Sequence, residues 1–278
     1  MTYFLDRPPA TFRRAPTTRS EDPVVFAFDK RGSLLVRDDP DRPLTLASLR
    51  AAGIEPTLIT PLGTLDGVPC AAAVLEDIEL PSGFSARSIR RLLGSLGGDR
   101  LAVAALASQI AHFRTTNRRC GACGGPMRPT EKDHAVRCDA CDRDVYPHVA
   151  PCVIVLVHDG PRVLLTRQPR FPPDMYGLVA GYLEPGESLE QCAEREILEE
   201  VGVRITDLEY VASQPWPFPS QLMVGMTARY AGGDLVVDKT ELEEAAWFDI
   251  SALPGIPPPF SIARHLIDRF IDHRRGGG

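Results

Sequence analysis

Apolar positions along this chain come in short clusters broken by Pro, Gly and charged residues, and their spacing sorts them into strands and helices. Continuous runs at 24–28, 34–36 and 71–75 are bounded by turn-forming residues, as buried strands are. Between 101 and 113 the period changes, and Leu101, Ala105, Ile110 and Phe113 fall near one helical face. Past Pro151, strand-like runs at 152–157 and 162–166 flank His158-Asp159-Gly160-Pro161, a hairpin signal. Leu189, Ala193, Ile197 and Val201 then recur every four residues. Ser188 with Gln191 forms a capping-box pattern ahead of that stripe, and Gly202 stands where a helix would end. Ile262, Leu266 and Phe270 predict a last amphipathic helix from about Ser261. No stretch visibly repeats another. The pattern predicts an N-terminal α+β domain over 1–115, a cysteine-rich segment over 116–147, and a further domain of strands and helices over 148–278.

Composition narrows the class. The 278 residues are 44% hydrophobic and 24% charged, ordinary for a globular protein and enough for more than one core. A net charge of −6 argues against an all-over nucleic-acid binder. It permits a local basic patch, and one is present: Arg114, Arg118, Arg119, Arg128, Lys132, Arg137 and Arg143 outnumber Glu131, Asp133, Asp139 and Asp142. The longest apolar runs, 101–107 and 152–157, fall far short of the roughly 20 residues of a membrane helix. The opening Met1-Thr2-Tyr3-Phe4-Leu5-Asp6-Arg7 has no charged leader followed by an apolar stretch, so a cytoplasmic protein is expected.

Four of the seven cysteines crowd together as Cys120-x2-Cys123 and Cys138-x2-Cys141. Two such knuckles supply the four thiolates of a tetrahedral zinc site. Four protein ligands leave no open coordination position, so one structural zinc per chain is expected. Gly121 and Gly124 fit the tight backbone of a knuckle, where a side chain would crowd the sulfurs. Cys70, Cys152 and Cys192 read as small buried residues.

Glu196, Glu199 and Glu200 stand at i, i+3 and i+4 on the predicted helix over 189–201, so their carboxylates share one flank and repel. Hard divalent cations with oxygen ligands offset such repulsion; a solvated acidic face is the plainer reading of a Glu triplet alone. The triplet lies within a longer pattern. Gly181, Glu187, Arg195, Glu196, Ile197, Glu199, Glu200, Gly202 and Val203 fill every defined position of G-x5-E-x7-R-E-U-x-E-E-x-G-U, where U is aliphatic. This resembles the Nudix box. The resemblance implies a mixed sheet sandwiched by helices (α-β-α) for the C-terminal domain and hydrolysis of a nucleoside diphosphate derivative. It also implies two or three Mg²⁺ or Mn²⁺ ions held by Glu196, Glu200 and the Ala180 carbonyl, with Glu199 a further ligand or the base. Glu187 and Arg195 would pair to hold the loop and helix in shape.

Downstream, Ser213-Gln214-Pro215-Trp216-Pro217-Phe218-Pro219-Ser220-Gln221 has three prolines at alternate positions, which stiffen the segment. It resembles S-Q-P-W-P-F-P-x-S of the NADH pyrophosphatase (NudC-type) branch, with Gln221 at the final Ser position and Ser220 one place earlier. The likeness covers 115–278: a four-cysteine ribbon before the Nudix box, a Tyr146-Pro147 step, and an acidic segment that implies Glu241 as a further metal ligand. A C-terminal segment implies Ala263 near the substrate. By this resemblance Gln214, Pro215, Trp216, Pro217, Phe218, Pro219, Ser220 and Gln221 form a substrate loop, and Tyr146 and Tyr182 are candidates to sandwich a base. The implied reaction converts NADH or NAD⁺ to NMN(H) and AMP in a homodimer, with removal of an NAD cap from RNA as the same chemistry on a longer substrate. Two alternatives stay open: another nucleoside diphosphate such as ADP-ribose, and a non-enzymatic nucleic-acid or partner-binding ribbon on an inert scaffold.

Overall fold

In a computed structural model of the protein, residues 12–15, 17–39, 42–76, 79–92, 96 and 98–276 are described. The chain divides into two compact units. One comprises Val149–Trp216 and Gln221–Gly278; the other comprises Arg7–His148 together with Pro217–Ser220.

The N-terminal unit contains β1 (Phe12–Arg14), β2 (Val24–Phe28), β3 (Leu34–Arg37), α1 (Leu46–Ala51), β4 (Leu58–Leu65), β5 (Val68–Val74), β6 (Phe84–Arg87), α2 (Ile89–Leu92) and α3 (Gly98–Thr116). Its sheet runs β1-β4-β5-β2-β3-β6, with β2 and β5 parallel. The apolar runs expected as strands pack here: Val25, Ala27, Leu35, Ala71 and Ala73 share a core with Leu46 and Leu49 of α1. The same unit holds the three-stranded ribbon β7 (Met127–Pro129), β8 (Val136–Cys138) and β9 (Arg143–Val145).

The C-terminal unit is built on β10 (Ala150–Asp159), β11 (Arg162–Arg167), β12 (Val179–Tyr182), α4 (Leu189–Val201), β13 (Arg204–Trp216), β14 (Gln221–Gly232), β15 (Glu244–Asp249) and α5 (Ile262–Gly276). Strand order is β13-β14-β10-β11-β15, with β12 paired to β10 and only β10 and β14 parallel among the described pairs. Alternation along β10 assigns the two layers. Val153, Val155 and Val157 pack with Cys192, Ala193, Ile197 and Val201 of α4. Cys152, Ile154 and Leu156 pack with Ile262, Leu266, Ile267 and Phe270 of α5. This is the sandwiched mixed sheet that the resemblance to the Nudix box implied. Cys70, Cys152 and Cys192 are all buried, as expected of isolated thiols.

The structure corrects one reading: the fold does repeat. In each unit a hairpin (β2–β3, β10–β11) precedes a helix with a capping box (α1, α4), then a second hairpin (β4–β5, β13–β14), an edge strand (β6, β15) and a final helix (α3, α5). In each, the first strand pairs in parallel with the last strand of the second hairpin. Backbone pairing preserves topology without preserving residues, so the repeat leaves no sequence period. The units differ in the middle helix, which spans six residues in α1, none acidic, and thirteen in α4.

Candidate metal and nucleotide site

The loop before α4 and its first turns are fixed locally. Ser188 Oγ accepts from Gln191 N and Gln191 Oε1 accepts from Ser188 N, closing the capping box. Gly202 ends the helix with φ 75°, a left-handed conformation that suits Gly. Between these caps Arg195 is the organiser. Its Nε and Nη2 donate to the two Glu187 oxygens at 2.5 and 2.9 Å, and Nη2 also reaches the Tyr182 carbonyl at 3.0 Å. Arg195, then the Glu184 N–H, pulls the Glu187 carboxyl down to about 2.

The three glutamates share a flank but not one environment. Arg195 Nη1 donates to Glu196 at 2.8 Å and to Glu199 at 3.0 Å, which holds Glu199 on the outside with 60% of its side chain exposed. Glu200 turns inward, is 4% exposed, and its Oε2 has no hydrogen-bond partner. Burial first, then the Glu196 and Glu241 charges, pushes its carboxyl up to about 8. Burial likewise raises Glu196. Glu196 lies flat against Gly181, where a Cβ would collide with its carboxyl group; this is why that position takes glycine. Ala180 sits on β12 opposite Ile154, one residue before that glycine. Two further charges act on Glu200, Asp238 and Arg170, neither singled out from the sequence. Arg170 lies in a Gln-Pro-Arg-Phe-Pro-Pro loop after β11, and that charge inside a proline-rich turn was the available signal.

The expected stiff loop is mostly strand. Gln214, Pro215 and Trp216 end β13, Gln221 begins β14, and Trp216 pairs with Gln221 across the turn. Gln214 is 2% exposed; it donates to Phe260 O at 2.9 Å and accepts from Ile262 N at 2.8 Å. That bond pins β13 to the start of α5, where Ala263 is 7% exposed. At the turn, Ser220 Oγ donates to His148 O at 2.7 Å and accepts from Gln109 Nε2 at 3.3 Å. Pro217 and Pro219 flank Phe218, whose ring has the Arg90 guanidinium 4.6 Å from its centroid. Tyr146 and Tyr182 are 56% and 51% exposed, so neither is a core residue; Tyr182 Oη accepts from Gln221 Nε2.

In the ribbon, the Cys120, Cys123, Cys138 and Cys141 sulfurs all lie within 4.8 Å of one another, the one such potential metal-binding group among the described residues. Cys120–Cys141 and Cys123–Cys138 are 3.6 and 3.5 Å apart. Tetrahedral Zn–S bonds of ~2.3 Å need edges of about 3.8 Å. Gly124 has φ 71°, as a knuckle turn requires. Gly121 is open on all sides; the glycine whose Cβ would press on the sulfurs is Gly125, 3.3 Å from Cys123 Sγ.

Known proteins share this arrangement segment by segment. Residues 147–270 match the NUDIX domain, 115–146 the NADH pyrophosphatase zinc ribbon domain, and 23–112 an NADH pyrophosphatase-like rudimentary NUDIX domain. A protein of Deinococcus radiodurans named NAD-capped RNA hydrolase NudC is 40% identical over 272 residues, covering 96% of this chain and 95% of that protein. This chain belongs to the NADH pyrophosphatase (NudC-type) family of Nudix hydrolases. A relative of the same name from Stutzerimonas stutzeri is 41% identical, covering 90% of this chain and 88% of its own. A crystal structure of a NUDIX hydrolase from Nitrosomonas europaea superposes with a TM-score of 0.50 at 27% identity, over 58% of this chain and 93% of that one. The rudimentary NUDIX match falls on the unit whose sheet repeats the C-terminal topology without the acidic helix. As in the family, the four-cysteine ribbon is a zinc site and the Nudix domain works with a divalent metal. No helix is long and apolar enough to cross a membrane among the described residues.

Proposed function

We propose that the protein hydrolyses the diphosphate of NADH or NAD⁺ to NMN(H) and AMP, and removes NAD caps from RNA 5′ ends by the same step. The observation that carries this is Glu200, a buried carboxyl with an unpartnered oxygen beside Glu196 and within the influence of Glu241. Hard oxygen donors crowded at that cost fit Mg²⁺ or Mn²⁺. We assign Glu196, Glu200, Glu241 and the Ala180 carbonyl as ligands of two or three such ions. Bound there, the metal supplies acidification of water and shielding of the phosphoryl oxygens. Glu199, exposed and steadied by Arg195, takes the proton of the attacking water at its carboxylate. Glu187 and Arg195 hold loop and helix in register. The water oxygen bonds to phosphorus, the bridging P–O bond breaks, and each product keeps one phosphate.

Specificity is assigned to the segment from Gln214 to Gln221, to Ala263, and to the exposed faces of Tyr146 and Tyr182, which suit stacking on a base. The relatives named NAD-capped RNA hydrolase support the same substrate class. The ribbon carries one structural zinc. A homodimer in the cytoplasm completes the proposal; cysteines clustered for metal binding rather than spread for disulfides are the pattern of reducing compartments. Product chromatography after incubation with NADH, ADP-ribose or an NAD-capped RNA, with Mg²⁺ or Mn²⁺, tests the reading. NMN(H) and AMP from NADH are expected, with slower turnover of ADP-ribose. No turnover of NADH with either metal sinks it. Light scattering in solution checks the dimer.

A further inference from the structure

Trp216 pairs with Gln221 as the last rung of the β13–β14 hairpin, and the four residues between them, Pro217–Ser220, group with Arg7–His148 rather than with the strands they join. Pro217 and Pro219 have no amide hydrogen to donate, so half of this turn cannot fasten itself through its backbone N–H groups. Side chains fasten it instead. The Arg90 guanidinium of α2 lies 4.6 Å from the centroid of the Phe218 ring, a cation–π distance. Gln109 of α3 donates from Nε2 to Ser220 Oγ at 3.3 Å, and that hydroxyl donates to His148 O at 2.7 Å. Pro217 is buried, and Pro217, Phe218 and Pro219 line one cavity with Ile89 of α2 and with Ala111 and His112 of α3.

Gln221 follows this turn directly. It is the terminal rung of its ladder, paired with Trp216 and Ala150, and terminal rungs fray unless they are tied down. Its Nε2 donates to Tyr182 Oη. With half of Tyr182 exposed, that bond orients the ring from its hydroxyl end. A chain of contacts therefore runs from Arg90 and Gln109, through Phe218 and Ser220, to Gln221 and the Tyr182 ring.

We propose that Arg90 and Gln109 are positioning residues for substrate recognition: by anchoring Phe218 and Ser220 they hold the hairpin end, so that Gln221 keeps the Tyr182 ring where a base stacks. This role rests on the stacking proposed for Tyr182. It gives the N-terminal unit, whose middle helix has no acidic residue, a part in recognition rather than in chemistry. Steady-state kinetics of the full, zinc-loaded protein with Mg²⁺ or Mn²⁺ test it in Arg90→Ala, Gln109→Ala and the double variant. Arg90 is exposed and Gln109 half-buried, so neither replacement should unfold the protein. KM for NADH should rise about two- to fivefold in each single variant and roughly tenfold in the pair, with kcat within about twofold, as loss of a cation–π contact or a hydrogen bond allows. Arg90→Lys keeps a cation on the ring and should restore most of the loss. In a Tyr182→Ala background the same variants should raise KM no further, because the residue through which they act is gone. Equal KM rises with and without Tyr182, or an unchanged KM in the double variant, overturn the role. So do equal losses on a small diphosphate that lacks the stacked ring, the mark of a merely structural effect. Amide hydrogen exchange at Gln221 and Leu222 is read without turnover. It should quicken in the double variant, and unchanged exchange overturns the anchor whatever the activity. Quickened exchange in a protein that does not hydrolyse NADH would retire the substrate reading and leave the anchor standing.

Discussion

At the scale of single residues, environment separates side chains that the sequence shows as equals. Glu196, Glu199 and Glu200 are one motif, yet one leans on glycine, one faces water and one is buried with a raised carboxyl. Glu200→Gln keeps the shape and removes a charged ligand, so turnover of NADH should fall on the order of 10²–10⁴-fold with the melting temperature held or raised. Near-normal activity in that variant would place the metal elsewhere. Tyr146 and Tyr182 are half exposed, so their replacement by Ala should cost little stability. Losing a stacking surface worth about 1–3 kcal/mol should raise KM for NADH roughly five- to 150-fold with kcat less affected. Equal losses on a small diphosphate that lacks the stacked ring would retire the stacking role.

At the scale of elements, loops are fastened by specific side chains. Arg195 ties the loop before α4 to its helix through Glu187. The Glu187 carboxyl sits at about 2 in the fold against an ordinary 4.5. Its contribution to stability is therefore fully present above the ordinary value and is lost as pH falls through the lowered one. The melting-temperature gap between wild type and Glu187→Gln should be constant from pH 6 to 7 and close as pH drops from about 4.5 toward 2. A gap that persists at pH 2 would show that packing, not charge, holds the loop. Gln214 fastens β13 to α5 from inside the core. Gln214→Ala leaves the Phe260 carbonyl and the Ile262 N–H without their bonds, a loss of about 1–3 kcal/mol in denaturant unfolding. A loss confined to KM, at full stability, would instead mark Gln214 as a contact to substrate.

At the scale of the whole molecule, two units share a topology and differ in what their middle helices carry. The ribbon depends on metal rather than on a core of its own, since its strands are only three residues long. Purified protein should carry close to one zinc per chain by metal analysis. Cys120→Ser should lower thermal stability and solubility without a selective effect on the chemical step. A variant that is fully stable yet inactive would contradict the structural role.

The chain's own pattern determined the elements that rest on local rules: the capped helix over 189–201 and the hairpin at Gly160 follow from periodicity, caps and turn residues, whereas the layered C-terminal sheet was implied only by the resemblance to the Nudix box. It also determined the two chemical clusters, because ligand spacing in knuckles and on a helix is itself local. Tertiary structure decided the rest. Which glutamate is buried depends on where Arg195 reaches, and Asp238 and Arg170 meet Glu200 from distant segments. Gln214 lies in a segment expected to be a stiff substrate loop, and only the tertiary structure shows it paired as strand and buried. The repeated topology and the burial of Arg114 were invisible for the same reason: strand pairing and burial join residues far apart in the chain, and no period or motif records them.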